Sequence, residues 1–152
     1  MLVYIVDDSG RVLLLRDPAG DAWELVSGAL EADETVLEGA LREAREEIGP
    51  AVRLRPLGIV HVQSIHYDAT VRDMIDIGYL FAYDGGEIVP GDDAAGFEFH
   101  WWAPEELHLE DVRVVVPHDQ KWLFERALEL HALWRQVERP LQPVPTQQID
   151  QL

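Results

Sequence analysis

The sequence has no cysteine among its 152 residues. That removes disulfides, thiolate metal ligands and cysteine nucleophiles together. Basic residues are scarce: 12 Lys and Arg stand against 29 Asp and Glu, a formal charge of −17. So acidic a chain repels a nucleic-acid backbone, and no nucleic-acid partner is expected. No run of 18 apolar residues occurs, so no membrane span and no membrane partner are expected. Met1 leads directly into Leu2-Val3-Tyr4-Ile5-Val6, with no basic leader and no small-residue cleavage site. A cytoplasmic location is therefore the expectation.

What is present suits one domain with a real core: 47% of the residues are hydrophobic, and neither a repeat nor a second domain is visible. Most of the acids are expected to keep the surface solvated. The same charge would repel a free nucleotide phosphate, so a polyphosphate substrate would need divalent cations to bridge it to the protein.

Residues 2–6 and 11–16 read as strands joined through Asp7-Asp8-Ser9-Gly10 as a hairpin. A short strand is expected at 23–26, and further strands at 52–54, 57–65, 73–83, 87–89 and 97–102, with a helical turn at 104–107. Val36, Leu37, Ala40, Leu41, Ala44 and Ile48 recur at helical spacing, which predicts a helix over 35–48. Asp33 or Glu34 is expected at its start, and Gly49-Pro50 stops it. A long helix is expected over 119–138, with Trp122, Leu123, Ala127, Leu130 and Trp134 facing inward. The tail from 139 to 152 is rich in proline and is expected to be flexible or borrowed by a partner subunit.

The 35–48 helix also carries charge. Glu43 lies three residues before Glu46 and four before Glu47, so the three carboxylates share neighbouring turns. Such spacing is unfavourable in a bare helix. Two readings remain open from these residues: a solvated acidic face, or a site for hard divalent cations of the Mg²⁺ type.

The wider spacing decides between them. Gly28, Glu34, Arg42, Glu43, Glu46, Glu47 and Gly49 stand at the seven fixed positions of G-x5-E-x7-R-E-U-x-E-E-x-G-U, where U is a bulky aliphatic residue. This segment resembles the Nudix box. Ala44 and Pro50 depart from the aliphatic positions, and Val26-Ser27-Gly28 replaces the usual Pro-Gly-Gly. Arg11–Arg16, Trp23–Leu25 and Phe97–Trp102 also resemble the family's flanking segments.

The resemblance implies an α/β fold, a mixed β-sheet sandwiched between helices with the box as a loop-helix-loop, formed by a single domain over 1–138. It implies a Mg²⁺-dependent hydrolase (Mn²⁺ as a possible substitute) that cleaves the phosphoanhydride bond of a nucleoside polyphosphate or other nucleoside diphosphate derivative. Glu43, Glu46 and Glu47 would hold metal with the Ser27 carbonyl, and Arg42 would orient the carboxylates. Glu34 would be structural and paired with an arginine of the helix. The general base stays open between Glu43, Glu46 and a distant acid, for which Glu98 is the candidate and also a further metal ligand. Tyr67 and Arg72 are the candidate substrate contacts, and Trp23, Tyr79, Phe81, Trp101 and Trp102 are further aromatic residues available for stacking. His61 and His66 are placed on a strand near the pocket, or else at the surface or as satisfied core groups. A non-catalytic nucleotide-binding module is the alternative, and a homodimer through the last helix or tail is left open.

Overall fold

The first strand, β1 (Leu2–Val6), is the hub of the sheet in this computed structural model. The structure describes residues 1–66, 73–91, 94–108, 112–115 and 120–137. β1 is almost entirely apolar and its residues from Val3 onward are buried, as a strand covered on both faces must be. It pairs in parallel with β6 (Met74–Tyr83), from Leu2↔Gly78 to Val6↔Ala82. On its other side the beginning of β1 meets β4 (Val26–Ser27) through Leu2↔Ser27 and Val3↔Val26. Its end meets β2 (Val12–Arg16) at Val6↔Val12.

The expected hairpin is therefore closed only beside its turn. β2 turns to β7 (Glu98–Trp102), pairing antiparallel from Val12↔Trp102 to Arg16↔Glu98. It also meets β3 (Trp23–Glu24), which pairs with β8 (Val114–Val115). At the opposite edge β5 (Leu54–Ile65) pairs antiparallel with β6. The sequence suggested two strands here. One strand forms because register shifts around Pro56–Gly58 and Ile59–His61 absorb a residue without an N–H and a glycine at φ 129°.

The sheet is mixed and lies between two helices. α1 (Val36–Ile48) buries Ala40, Ala44 and Ile48 against Val3, Ile5, Val26 and Phe81. α2 (Trp122–Trp134) covers the other face, burying Leu123, Phe124 and Ala127 against Tyr4, Val6 and Leu14. Leu130 and Trp134 pack against that core, whereas Trp122, expected inside, is 52% exposed. The buried positions 123, 124, 127 and 131 define a stripe that leaves Trp122 on its outer side and takes in His131 instead.

Residues 87–89 form no strand: the Val89 N–H donates to the Ile48 carbonyl and closes the end of α1. The helical turn after β7 is a 3-10 turn at Glu106–His108. Among the described residues no helix is long and apolar enough to cross a membrane. The tail, 139–152, lies outside the described residues.

Candidate functional site

The start of α1 is set by Thr35 rather than by Asp33 or Glu34. Thr35 Oγ1 accepts from the Glu38 N–H at 3.2 Å, while the Glu38 carboxylate accepts from the Thr35 N–H at 2.8 Å. This reciprocal capping box satisfies two backbone donors and fixes where the helical count begins. Asp33 takes a left-handed conformation at φ 68° in the preceding loop. Glu34 is thereby free to turn toward the helix.

Arg42 gathers the acids. Its Nε and Nη2 donate to Glu34 Oε2 and Oε1 at 3.1 and 2.8 Å, a two-pronged pairing that a planar guanidinium makes well. Nη1 donates to Glu43 Oε1 at 2.8 Å and to Glu46 Oε2 at 3.2 Å. Nη2 also reaches the Ala29 carbonyl at 2.9 Å, so the guanidinium spans helix and loop. The hydrogen bonds from Arg42, then the backbone N–H of Glu31, hold the Glu34 carboxyl below the usual carboxylate range. Reciprocally, hydrogen bonding first to Glu34 and then to Glu43 raises the Arg42 pKa.

Glu47, and Glu43 again, meet the Ser27–Gly28 turn. Glu47 Oε1 accepts from the Ser27 N–H at 3.0 Å. The buried Glu43 carboxylate lies directly against the α-carbon of Gly28. The turn is itself paired to Leu2 of β1, so the carboxylates are referenced to the middle of the sheet.

These residues offer hard oxygen donors of the kind Mg²⁺ or Mn²⁺ takes. Among the described residues, no three acidic or imidazole groups are drawn into a cage around one point. The reason is local: Glu43 and Glu46 are turned to Arg42, and Glu47 to the Ser27 N–H. The fit to a divalent cation lies in the donor set and in the open α-carbon of Gly28, which leaves the Glu43 carboxylate room beside the turn.

The other candidates are dispersed. Glu98 opens β7 opposite Arg16 and its carboxylate is engaged by Arg16 Nη2 at 2.5 Å, which joins it to β2 rather than to the box. Arg16 in turn sits over the Trp23 ring at 4.7 Å, and Trp23 packs edge-on against Trp102. Tyr67 and Arg72 lie outside the described residues. Phe81 and Tyr79 belong to the core under α1, and Trp101 stacks at a tilt against Tyr83.

One polar cluster was not legible beforehand. His61 Nε2 lies 3.0 Å from Asp76 Oδ2, and Gln63 Nε2 donates to the same oxygen at 3.3 Å. Burial opposes ionisation of Asp76, but the hydrogen bonds from His61 and Gln63 outweigh it and leave its pKa lowered. The available signal was an aspartate in the middle of the apolar run of β6.

A mixed sheet between two helices, with an arginine-centred acidic helix entered through a glycine turn, defines a Nudix-type domain. A family model for the NUDIX domain matches residues 1–124, and the chain belongs to the Nudix family. An RNA pyrophosphohydrolase of Halorhodospira halophila is 47% identical over 47 residues, covering 31% of this chain and 26% of that one. A MutT-like protein of Streptomyces ambofaciens is 31% identical over 103 residues, covering 68% and 62%. The chain thus spans less than two thirds of the length of either relative. Among solved structures, an ADP-ribose pyrophosphatase from Streptococcus suis superposes with a TM-score of 0.66 at 18% identity, covering 86% of this chain and 88% of that one, a likeness of fold.

Proposed function

We propose that the protein is a Mg²⁺-dependent hydrolase that cleaves the phosphoanhydride bond of a nucleoside polyphosphate or related nucleoside diphosphate derivative. Membership of the Nudix family supports this reading. The observation that carries it is the Arg42-centred cluster, in which one guanidinium spans Glu34, Glu43 and Glu46 beside the Ser27–Gly28 turn. Glu43, Glu46 and Glu47, with the Ser27 carbonyl, are the residues that would hold the cation. A bound divalent cation supplies charge neutralisation for the departing phosphate and a more acidic water.

The chain's own part is positioning. Arg42 fixes the rotamers of Glu43 and Glu46, and the capping box fixes the helix that carries them. Water adds its oxygen to a phosphorus of the diphosphate, the bridging P–O bond breaks, and the water proton passes to a base. Glu43 and Glu46 are the box candidates for that base, and Glu98, held by Arg16, is the distant one. Catalysis is assigned to residues 1–138. In a chain of −17 the preferred substrate is a small nucleotide rather than a nucleic-acid strand.

The test is a panel of nucleoside triphosphates, dinucleoside polyphosphates and nucleotide sugars, with Mg²⁺ or Mn²⁺, scored for release of phosphate or nucleoside monophosphate. Turnover that needs the cation and falls about 100-fold or more in Glu46→Gln and Glu47→Gln is expected. Activity unchanged in both variants would overturn the proposal. Tight nucleotide binding without turnover across the panel would replace it with a binding module.

A further inference from the structure

The box helix has a second side. Leu41 and Arg45 lie about 150° round α1 from the mean direction of Arg42, Glu43, Glu46 and Glu47, at roughly 100° per residue. Between that side and the start of β5 lies an open cavity of about 440 Å³, lined by Leu41, Arg45, Val52, Arg53, Leu54 and Asp84. Its size is in the range of small-molecule sites.

The charge of its wall runs against that of the chain. Asp84 is the acid in the lining, and its carboxylate is taken by Arg55 through Nε at 3.1 Å and Nη2 at 3.2 Å. Arg53 spends one donor on the Asp84 carbonyl at 2.9 Å, out of the five N–H groups a guanidinium carries. Arg45 is the described arginine whose side chain makes neither an ion pair nor a hydrogen bond. Val52, Arg53 and Leu54 of the other wall belong to a stretch of sequence, 48–67, with no Asp or Glu in a chain that has 29. Two arginines with unspent donors therefore line one cavity on an otherwise acidic molecule, together with the apolar Leu41, Val52 and Leu54.

We propose that this cavity binds a small phosphate monoester at a site separate from the box carboxylates. Two guanidinium groups from different elements match a dianion with several oxygen acceptors. The apolar lining residues Leu41, Val52 and Leu54 add contact for the organic part of the ester. A position in the last turn of α1 favours a cation at Arg45 by itself, yet that interaction leaves its N–H groups unspent. The site stands whether or not the box is catalytic.

The full chain is titrated with phenyl phosphate, AMP and inorganic phosphate in the presence of a chelator, so that no cation links phosphate to the box. Binding is followed by backbone amide shifts. Saturable shifts confined to 41–45, 52–54 and 84 are expected, with the two esters tighter than inorganic phosphate. Arg45→Gln and Arg53→Gln should each weaken binding by about tenfold or more. Arg45 is exposed, so its variant should keep the wild-type Tm and decides the matter if Arg53→Gln unfolds. No saturation by about 10 mM of any probe, affinity unchanged in the variants, or shifts centred on Ser27 and Gly28 would each overturn the proposal.

Discussion

A methyl group placed on the α-carbon of Gly28 would stand 1.9 Å from Glu43 Cδ and 2.0 and 2.2 Å from its two carboxylate oxygens. The first glycine of the box is thus in direct contact with an acid fifteen positions further along the chain. Gly28→Ala must displace the carboxylate or the turn. Overpacking of this kind costs about 1–3 kcal/mol, and a misplacement near 1 Å at a reacting centre about 100-fold in rate. We expect a Tm lower by several degrees and kcat lower by about 100-fold, measured by calorimetry and steady-state hydrolysis. Activity within twofold of wild type would show that Glu43 is not needed at that place.

Arg42→Lys keeps the charge and loses the geometry. One ammonium cannot reach Glu34 in two-pronged fashion while also holding Glu43, Glu46 and the Ala29 carbonyl. Loss of a group that orients metal-binding carboxylates typically costs 10–100-fold in affinity or activity. The expected result is a fall of about that size in kcat, with a higher Mg²⁺ concentration needed for half-activation. Glu34→Gln should move both quantities the same way by less, because the amide oxygen still accepts one bond. A variant with lower Tm but unchanged Mg²⁺ requirement would make the cluster purely structural.

His131 gives the fold a pH dependence. Burial, then the positive charges of Arg135 and Arg55, pushes its pKa below the ordinary value, against the opposing pull of Asp8 and Asp7. The folded ring takes up its proton at lower pH than the unfolded chain, which does so near pH 6.5, so the unfolded state binds more protons as the pH falls through that range. Stability from this group is therefore intact above about pH 6.5 and is lost as the pH falls below it. The Tm should drop more between pH 7.5 and 5.5 in the wild type than in His131→Leu. Equal drops would assign the acid sensitivity elsewhere.

The site helix was legible because its signals are local. Ala40, Ala44 and Ile48 repeat at the period of a helix, and the box spacing is a one-dimensional pattern. What could not be read was set by contacts between distant segments. The parallel pairing of β1 with β6 joins residues more than seventy positions apart, and it leaves the apparent β1–β2 hairpin paired at one register position. The cap of α1 differs from the expected Asp33 or Glu34 because Asp33 and Thr35 are both acceptable caps by residue type, and only the return of Glu38 to Thr35 selects one. Trp122 is exposed where an inward side is expected, because a bulky aromatic at the start of a helix says little about which side faces the core. The Gly28–Glu43 contact is invisible in any local window, although both residues belong to the same motif.

The segment after the β6 turn forms no strand, and its hydrogen bonds tie it to the far end of the box. The Val89 N–H meets the Ile48 carbonyl at 3.0 Å and the Gly91 N–H meets that of Glu47 at 3.3 Å. A β-carbon on Gly49, whose φ is 97°, would stand 3.0 Å from the Val89 carbonyl oxygen. The last turn of α1, which carries Glu46 and Glu47, is thus splinted by residues some forty positions downstream that contain no acid and match no motif. Tuning of the carboxylates by sequence change is then open to Val89–Gly91 as much as to the box, and a variant library restricted to the motif would miss that control.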